Sequence, residues 1–289
     1  MITVEERPIA ADRHTDRSVV LSCPDLSELS EVSIHWRYDG DQELVQVLML
    51  VRHIRDVFGI QKIFLYLPYV PYARMDRVQD VTEVFTLKHF AGFINSLGFD
   101  KVYVFDPHSS VTPALIDHVV VRNPSMLIRE ADLSVASLEG GQSPLYFYPD
   151  EGAMKKYSKL SNRPAGYGQK VRDWKTREIT GLTVYVDDDA IRGKPVLIID
   201  DICALGNTVL HTAKALKAKG AGNVYLCASH CEKAVLSSEL LTSGFIERIF
   251  TTDSIMRDKH DMIFVYPLVA NRMTGLDTKR RNLAWESWW

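Results

Sequence analysis

The chain has 289 residues, enough for one large or two ordinary domains, and its 46% hydrophobic and 25% charged content is that of a soluble globular enzyme. A net charge of −3 with no long basic run argues against a nucleic-acid groove as the main function. No apolar stretch is long enough to span a bilayer, and the opening residues, with Glu5 and Glu6, do not read as a signal peptide. The four cysteines (Cys23, Cys203, Cys227, Cys231) suit free thiols in a reducing cytoplasm. Cys227 and Cys231 flank His230, but no second ligand pair lies nearby in sequence, so buried thiols are expected there rather than a metal.

In chain order, residues 1–33 are poorly patterned, with a short strand expected at 18–21 and another at 32–36. Helical periodicity starts at Asp41, with Leu44, Val47, Leu48, Val51, Ile54 and Phe58 on or near one face and Gly59 ending it. A buried strand at 63–67 leads into Pro68-Tyr69-Val70-Pro71-Tyr72-Ala73-Arg74-Met75-Asp76-Arg77, too rich in proline to be helical. A helix over 84–97 stops at Gly98, and a strand at 102–105 ends in Asp106-Pro107-His108-Ser109. The alternation continues through 113–117 and 119–121 and breaks at Gly140 and Gly141, which sets the expected domain boundary: an N-terminal domain 1–140 and a C-terminal domain 141–289. A strand at 145–148 then ends in Pro149-Asp150-Glu151-Gly152. A basic helical stretch with Lys155, Lys156 and Lys159 follows, then a polar segment at 167–181. Beyond 219 a strand is expected at 224–229, a helix at 233–243, and strands at 248–251 and 263–265. The tail, with Trp285, Trp288 and Trp289, is expected to pack on a domain or subunit surface, the N-terminal domain included.

The organising stretch is 194–208. Val196 to Ile199 is apolar without alternation, as in a parallel strand buried on both faces, and Asp200 and Asp201 are expected to end it. A loop with Gly206 follows, and Thr208 opens a helix running to Lys219. In open α/β sheets ligands sit beyond the carboxyl ends of the strands, and the unpaired N–H groups of a helix start hold phosphate. Two carboxylates just before such a loop repel a phosphate beside them and suit ribose hydroxyls or Mg²⁺ instead. The alternative is a strand ending in solvated acids before a capped helix. Strands alternating with helices imply mainly parallel sheets in both halves, with the polar clusters at strand ends lining a common cleft.

Each cluster has two readings. Arg74 and Arg77 can fork onto phosphates, with tyrosines to stack on a base, or can pair with Asp76 and Asp80 on a surface loop. His108 can ligate a metal or phosphate or be structural, and Asp150 is equally ambiguous. The basic segment 168–177 can close as a flap over a polyphosphate, or be a solvated loop or hairpin. Taken together they offer what diphosphoryl transfer needs, which is mostly positioning and charge neutralisation.

Over roughly residues 41–254 the chain resembles the ribose-phosphate pyrophosphokinases (PRPP synthetases), built from two domains of the type I phosphoribosyltransferase fold. Tyr69 to Arg77 is similar to their ATP-binding loop, Pro-Tyr-Ala-Arg-Gln-Asp-Arg; Asp106-Pro107-His108 to their Asp-Leu-His; Pro149-Asp150-Glu151-Gly152 to their Pro-Asp-x-Gly; Lys170-Val171-Arg172 to their catalytic flexible loop; Asp200 to Thr208 to their PRPP-binding loop. The resemblance implies an α/β protein of two tandem phosphoribosyltransferase-like domains. It implies Mg²⁺-dependent transfer of the β,γ-diphosphate of ATP to the anomeric hydroxyl of ribose 5-phosphate, with AMP leaving. Lys170 and Arg172 are then catalytic, and Arg74, Asp76, Arg77 and His108 bind ATP. His108 and Asp150 hold metal, and Asp200, Asp201, Ala204, Leu205, Gly206, Asn207 and Thr208 bind the ribose phosphate. The resemblance also implies a homo-oligomer, dimer or hexamer, with an ATP site completed by a neighbouring subunit, and no nucleic-acid or membrane partner.

Three departures stand out. Met75 replaces the usual glutamine, Ala204 and Leu205 stand where the family has Asp-Thr, and the N-terminal Phe-x-Asp-Gly-Glu adenine clamp has no clear counterpart, Tyr38-Asp39-Gly40-Asp41 lying too close to the first helix. The changed loop suits an acceptor whose ribose 5-phosphate is part of a larger molecule, such as ADP-ribose in NAD rebuilding. A phosphoribosyltransferase needs neither the Arg74 loop nor the Lys170/Arg172 pair, and a non-catalytic regulatory paralogue loses residues that are present here.

Overall fold

Apolar runs without alternation become the centres of two separate sheets in the computed structural model, which describes residues 1–161, 163–172 and 179–268. The units divide as Met1–Asn123 and Pro124–Leu268. The first holds β1 (Ile2–Val4), β2 (Arg7–Pro8), β3 (Ala10–Arg13), β4 (Val19–Ser22), β5 (Glu31–Trp36), α1 (Gln42–Phe58), β6 (Lys62–Leu67), α2 (Thr86–Ser96), β7 (Lys101–Phe105), α3 (Val111–Leu115) and β8 (Val119–Arg122). Its six-stranded sheet has the order β2-β1-β5-β6-β7-β8. The β5 to β8 pairs are parallel, β1 is antiparallel to both neighbours, and β3 and β4 form a separate antiparallel pair.

The core of this unit follows from the periodicity. Val47, Val51 and Ile54 of α1 and Leu87, Phe90 and Ile94 of α2 are buried against Ile34, Leu65 and Val104 of the sheet. Each such side chain contributes roughly 1.5–3 kcal/mol of apolar burial. Gly59, at φ 70°, ends α1 as its pattern implies. Leu48 turns outward instead, with Val45 and Met49. On the sheet, His35 stacks on Tyr66 (centroids 4.5 Å apart) and Tyr66 on Tyr103 (4.6 Å). Burial lowers the His35 pKa to about 4, so the ring stacks as the neutral base. The N-terminal strands β1 to β3 lay outside the expected pattern because each is only two to four residues long, too short to show an alternation.

The second unit holds α4 (Ser125–Leu138), β9 (Leu145–Tyr148), α5 (Glu151–Tyr157), β10 (Ala165–Arg172), β11 (Ile179–Tyr185), α6 (Asp188–Ile191), β12 (Val196–Cys203), α7 (Asn207–Ala218), β13 (Val224–Cys231), α8 (Glu239–Thr242), β14 (Arg248–Thr252) and β15 (Ile263–Tyr266). Its order is β11-β10-β9-β12-β13-β14-β15, all parallel except the β10–β11 pair. Helix α4 packs on β12, β13 and β14. The Tyr225 hydroxyl donates to Glu139 Oε1 (2.5 Å) just after that helix, so the Gly140–Gly141 turn lies inside this unit.

Two expectations are corrected here, and one of the readings of the basic segment gains support. β12 does not end at the acidic pair, because the fully buried β13 pairs with it as far as Cys203 opposite Cys231. The expected helix over 233–243 is a 3-10 turn (Lys233–Ser237) and the four-residue α8. Ser238 between them is extended (φ −90°, ψ 156°), and its hydroxyl donates back to the Val235 carbonyl (2.7 Å). The polar segment at 167–181 contains strand, antiparallel β10 and β11 with a pairing irregularity at Val171/Arg172, while residues 173–178 lie outside the described set. The tryptophan tail also lies outside it. Among the described residues no helix is long and apolar enough to cross a membrane.

Candidate active site

The four polar clusters sit at carboxyl ends of parallel strands, two on each sheet. In the first unit, β6 ends at Leu67, and the Pro68 carbonyl accepts from the Phe105 N–H at the end of β7 (3.3 Å), which fixes the two loops side by side. Val70 and Ala73 are buried and anchor the loop, while Arg74 and Arg77 are exposed. Tyr72 adopts φ 61°, and its carbonyl accepts from the Met75 N–H (2.8 Å), closing a turn. Arg77 Nε lies 3.9 Å from Asp76 Oδ1, but at 82% side-chain exposure that pair contributes little and leaves the guanidinium available. Asp80 instead accepts from the Thr82 N–H and hydroxyl (2.8 and 2.7 Å). At the neighbouring edge, Asp106 is buried with φ 43°, its N–H donating to the Arg122 carbonyl (2.8 Å), and the chain emerges at half-buried His108.

In the second unit, β9 and β12 are parallel neighbours, Phe147 opposite Ile198, so Asp150 and the Asp200–Asp201 pair share one edge. Asp150 caps α5, its Oδ1 accepting from the Ala153 N–H (2.9 Å). From the same helix Lys156 reaches Asp201 Oδ2 (3.6 Å), and the Asp201 N–H donates to Asp200 Oδ1 (2.9 Å). Sequence reasoning missed Lys156. Its signal was the spacing Ala153, Lys156, Tyr157, which puts it beside the buried face of a short helix. Removing this cation is expected to cost about 1 kcal/mol in chemical denaturation, with Lys156→Arg restoring it, because Asp201 is nearly buried while Lys156 is partly solvated.

After β12, Ala204, Leu205 and Gly206 turn the chain into α7. Gly206 has φ 76°, and its carbonyl accepts from Leu210 (2.8 Å), so the N–H groups of Asn207 and Thr208 open the helix with no partner within it. Leu205 is 49% exposed at the mouth of this loop. β10 pairs Tyr167 with Tyr148, the last residue of β9, and then runs on. At about 3.3 Å per residue, Lys170 and Arg172 lie roughly 10 and 17 Å further along, past the edge that carries Asp150. Gly168 makes this possible, since a Cβ there would stand 2.9 Å from the Pro149 carbonyl. The edge therefore gathers a helix N-terminus for a phosphate, carboxylates for hydroxyls or a cation, and a basic strand extension.

Among the described residues no three His, Cys, Asp or Glu side chains converge as a ready-made metal site, and His108 and Asp150 stand in different units. All four cysteines are free thiols. Cys203 contacts Cys231, and that buried neighbour raises its pKa well above the usual thiol value.

No protein-family model matches the chain. It is 28% identical over 223 residues to the ribose-phosphate pyrophosphokinase of Methanobrevibacter smithii, covering 74% of this chain and 71% of that protein. It is 25% identical over 269 residues to the ribose-phosphate pyrophosphokinase of Methanosarcina acetivorans, covering 92% and 90%. The crystal structure of phosphoribosylpyrophosphate synthetase from Mycobacterium smegmatis superposes with a TM-score of 0.71 at 19% identity, over 90% of this chain and 86% of that one. The chain thus resembles this family in sequence over most of its length and shares its two-unit α/β fold.

Proposed function

We propose that this chain, similar to the ribose-phosphate pyrophosphokinases, transfers the β,γ-diphosphate of ATP to the anomeric hydroxyl of ribose 5-phosphate, giving PRPP and AMP. The observation that carries the reading is the β12–α7 edge, where Asp200 and Asp201 precede a glycine-opened helix N-terminus. The N–H groups of Asn207 and Thr208, with the Thr208 hydroxyl, hold the 5-phosphate, and the helix dipole favours its charge. Asp200 and Asp201 hold the ribose hydroxyls, kept in place by the Asp201 N–H and Lys156. Arg74, Asp76, Arg77 and His108 serve ATP, and Lys170 and Arg172 neutralise charge on the transferring diphosphate, the larger part of catalysis in phosphoryl transfer. Mg²⁺ characteristically takes one or two carboxylates together with substrate phosphate oxygens, a hard-oxygen donor set that Asp150 can contribute to without a protein cluster of three; when bound, it draws off charge from the phosphates.

Exposed Leu205 beside Ala204 favours a second reading, in which the acceptor is ADP-ribose and the extra nucleotide lies beyond the loop. The test is AMP release from ATP and Mg²⁺ with the two acceptors run side by side. Ribose 5-phosphate is expected to support turnover. AMP from ADP-ribose alone transfers the assignment to the second reading and places the chain in NAD rebuilding, and no AMP with either overturns both.

A further inference from the structure

Tyr72, in the loop proposed above to bind ATP, holds a positive φ that a side-chain-bearing residue rarely adopts. A bulky residue at φ 61° is costly and persists only where its surroundings over-determine it. Here the surroundings are specific. The Tyr72 hydroxyl donates to Asp41 Oδ1, directly ahead of α1, and the Tyr38 hydroxyl donates to the same oxygen. The Tyr72 ring lies 5.3 Å from Phe90 of α2 and meets Tyr38 edge-on at 6.3 Å. The two hydrogen bonds hold the Asp41 carboxyl below its usual pKa.

We propose that Asp41 and Tyr72 form a positioning latch: the carboxylate at the start of α1 holds the strained turn so that Arg74 and Arg77, two and five residues on, meet the ATP polyphosphate already oriented. The inference rests on the ATP reading of this loop. Tyr72 and Asp41 are positioning residues, since neither is placed on substrate. Val70 and Ala73 anchor the loop's inner side in the core, and Phe90 buttresses the ring. Without the Asp41 bond the turn can relax toward negative φ, and the arginines after it lose their shared orientation. Ordering that is built into the loop does not have to be supplied at each binding event.

The control lies in the same cluster. Tyr38→Phe removes a hydrogen bond to the same Asp41 oxygen while keeping the edge-on ring contact with Tyr72 and the Tyr72–Asp41 bond itself. Wild type, Tyr72→Phe, Tyr38→Phe, Asp41→Ala and the Tyr72→Phe/Asp41→Ala pair are compared by calorimetric binding of Mg-ATP to the full chain, with thermal midpoints alongside. Tyr72→Phe and Asp41→Ala are each expected to weaken Mg-ATP binding about fivefold, the double variant no more than Asp41→Ala alone, and Tyr38→Phe less than twofold. KM for ATP is expected to follow the binding constant while kcat and KM for the acceptor stay within twofold. Equal losses for Tyr72→Phe and Tyr38→Phe, or full additivity in the double variant, overturn the latch. A folded Asp41→Ala with unchanged Mg-ATP binding does so as well. Absence of Mg-ATP binding in the wild type overturns the ATP reading itself, and binding without AMP release overturns only the reaction.

Discussion

Lys170→Ala is expected to lower AMP release on the order of a thousandfold while leaving the fold intact. The expectation follows from where the backbone puts the residue. β10 is held to β9 only through Tyr167, and beyond that point it is carried by β11 alone, Lys170 opposite Leu182. A substitution there disturbs no pairing between β10 and β9, so the thermal midpoint should move little. The effect on turnover is large because a cation aimed at charge that develops only in the transition state contributes to kcat without contributing equally to binding, and removing one such group costs roughly 10²–10³ in rate. Arg172→Ala should behave in the same way, and the pair together should lose less than the product of the single effects, since both act on one diphosphate. Steady-state AMP release at saturating ATP and acceptor measures this. A drop confined to KM, with kcat preserved, would move Lys170 from the transferring diphosphate to ground-state binding. Unchanged kcat and KM would remove it from the site.

What could be read from the chain without its fold was whatever local pattern encodes. The 3.6-residue recurrence in α1 and the unbroken apolar run at the start of β12 both became core, because one-sided and two-sided burial leave different signatures in sequence. The positions of Asp106 and Asp150 just beyond strand ends followed from the apolar runs of β7 and β9. The features missed are the ones that pairing or tertiary contact supplies. Helix α4 buries Leu127, Ile128, Ala131 and Val135, but its stripe also includes Asp132, acceptable there because Arg163 lies 2.6 Å away, thirty-one residues on. β10 is broken by Gly166 and Gly168 and carries Gln169, Lys170 and Arg172, and cross-strand contacts such as the stacking of Tyr167 on Tyr185 (centroids 4.9 Å apart) hold it to β11 as strand. β12 outran its acidic pair because β13 offered partners beyond it. Lys156 was passed over as a site residue for the same reason: its partner Asp201 is far off in sequence, and only its spacing from Ala153 and Tyr157 sets it apart from Lys155.

Gly206→Ala is expected to be the most damaging single-methyl change at the candidate site, because it is penalised twice. The residue sits at φ 76°, where an L side chain costs roughly 1–2 kcal/mol. An added Cβ would also lie 2.4 Å from Leu240 Cδ2 and 3.2 Å from Leu240 Cβ, and Leu240 is buried, so it has little room to withdraw. Overpacking of this kind costs roughly 1–3 kcal/mol, for a total of about 2–5 kcal/mol in urea denaturation. The functional loss should be greater than the stability loss suggests, with KM for the acceptor raised at least about tenfold, since any relaxation of the turn rotates the Asn207 and Thr208 N–H groups away from the phosphate they share. Leu240→Ala separates the two penalties. It opens space but leaves the dihedral, so Gly206→Ala should be milder in stability on that background than on the wild type, while the acceptor KM of the double variant stays high. Recovery of KM along with stability would mean that the contact with Leu240 alone shapes the loop. Full additivity in stability would mean that the backbone moves aside and the clash is never realised. Retained loss of KM with partial recovery of stability is the expected pattern, because phosphate recognition by backbone N–H groups depends on the direction of the helix start and not on how tightly its outer face is packed.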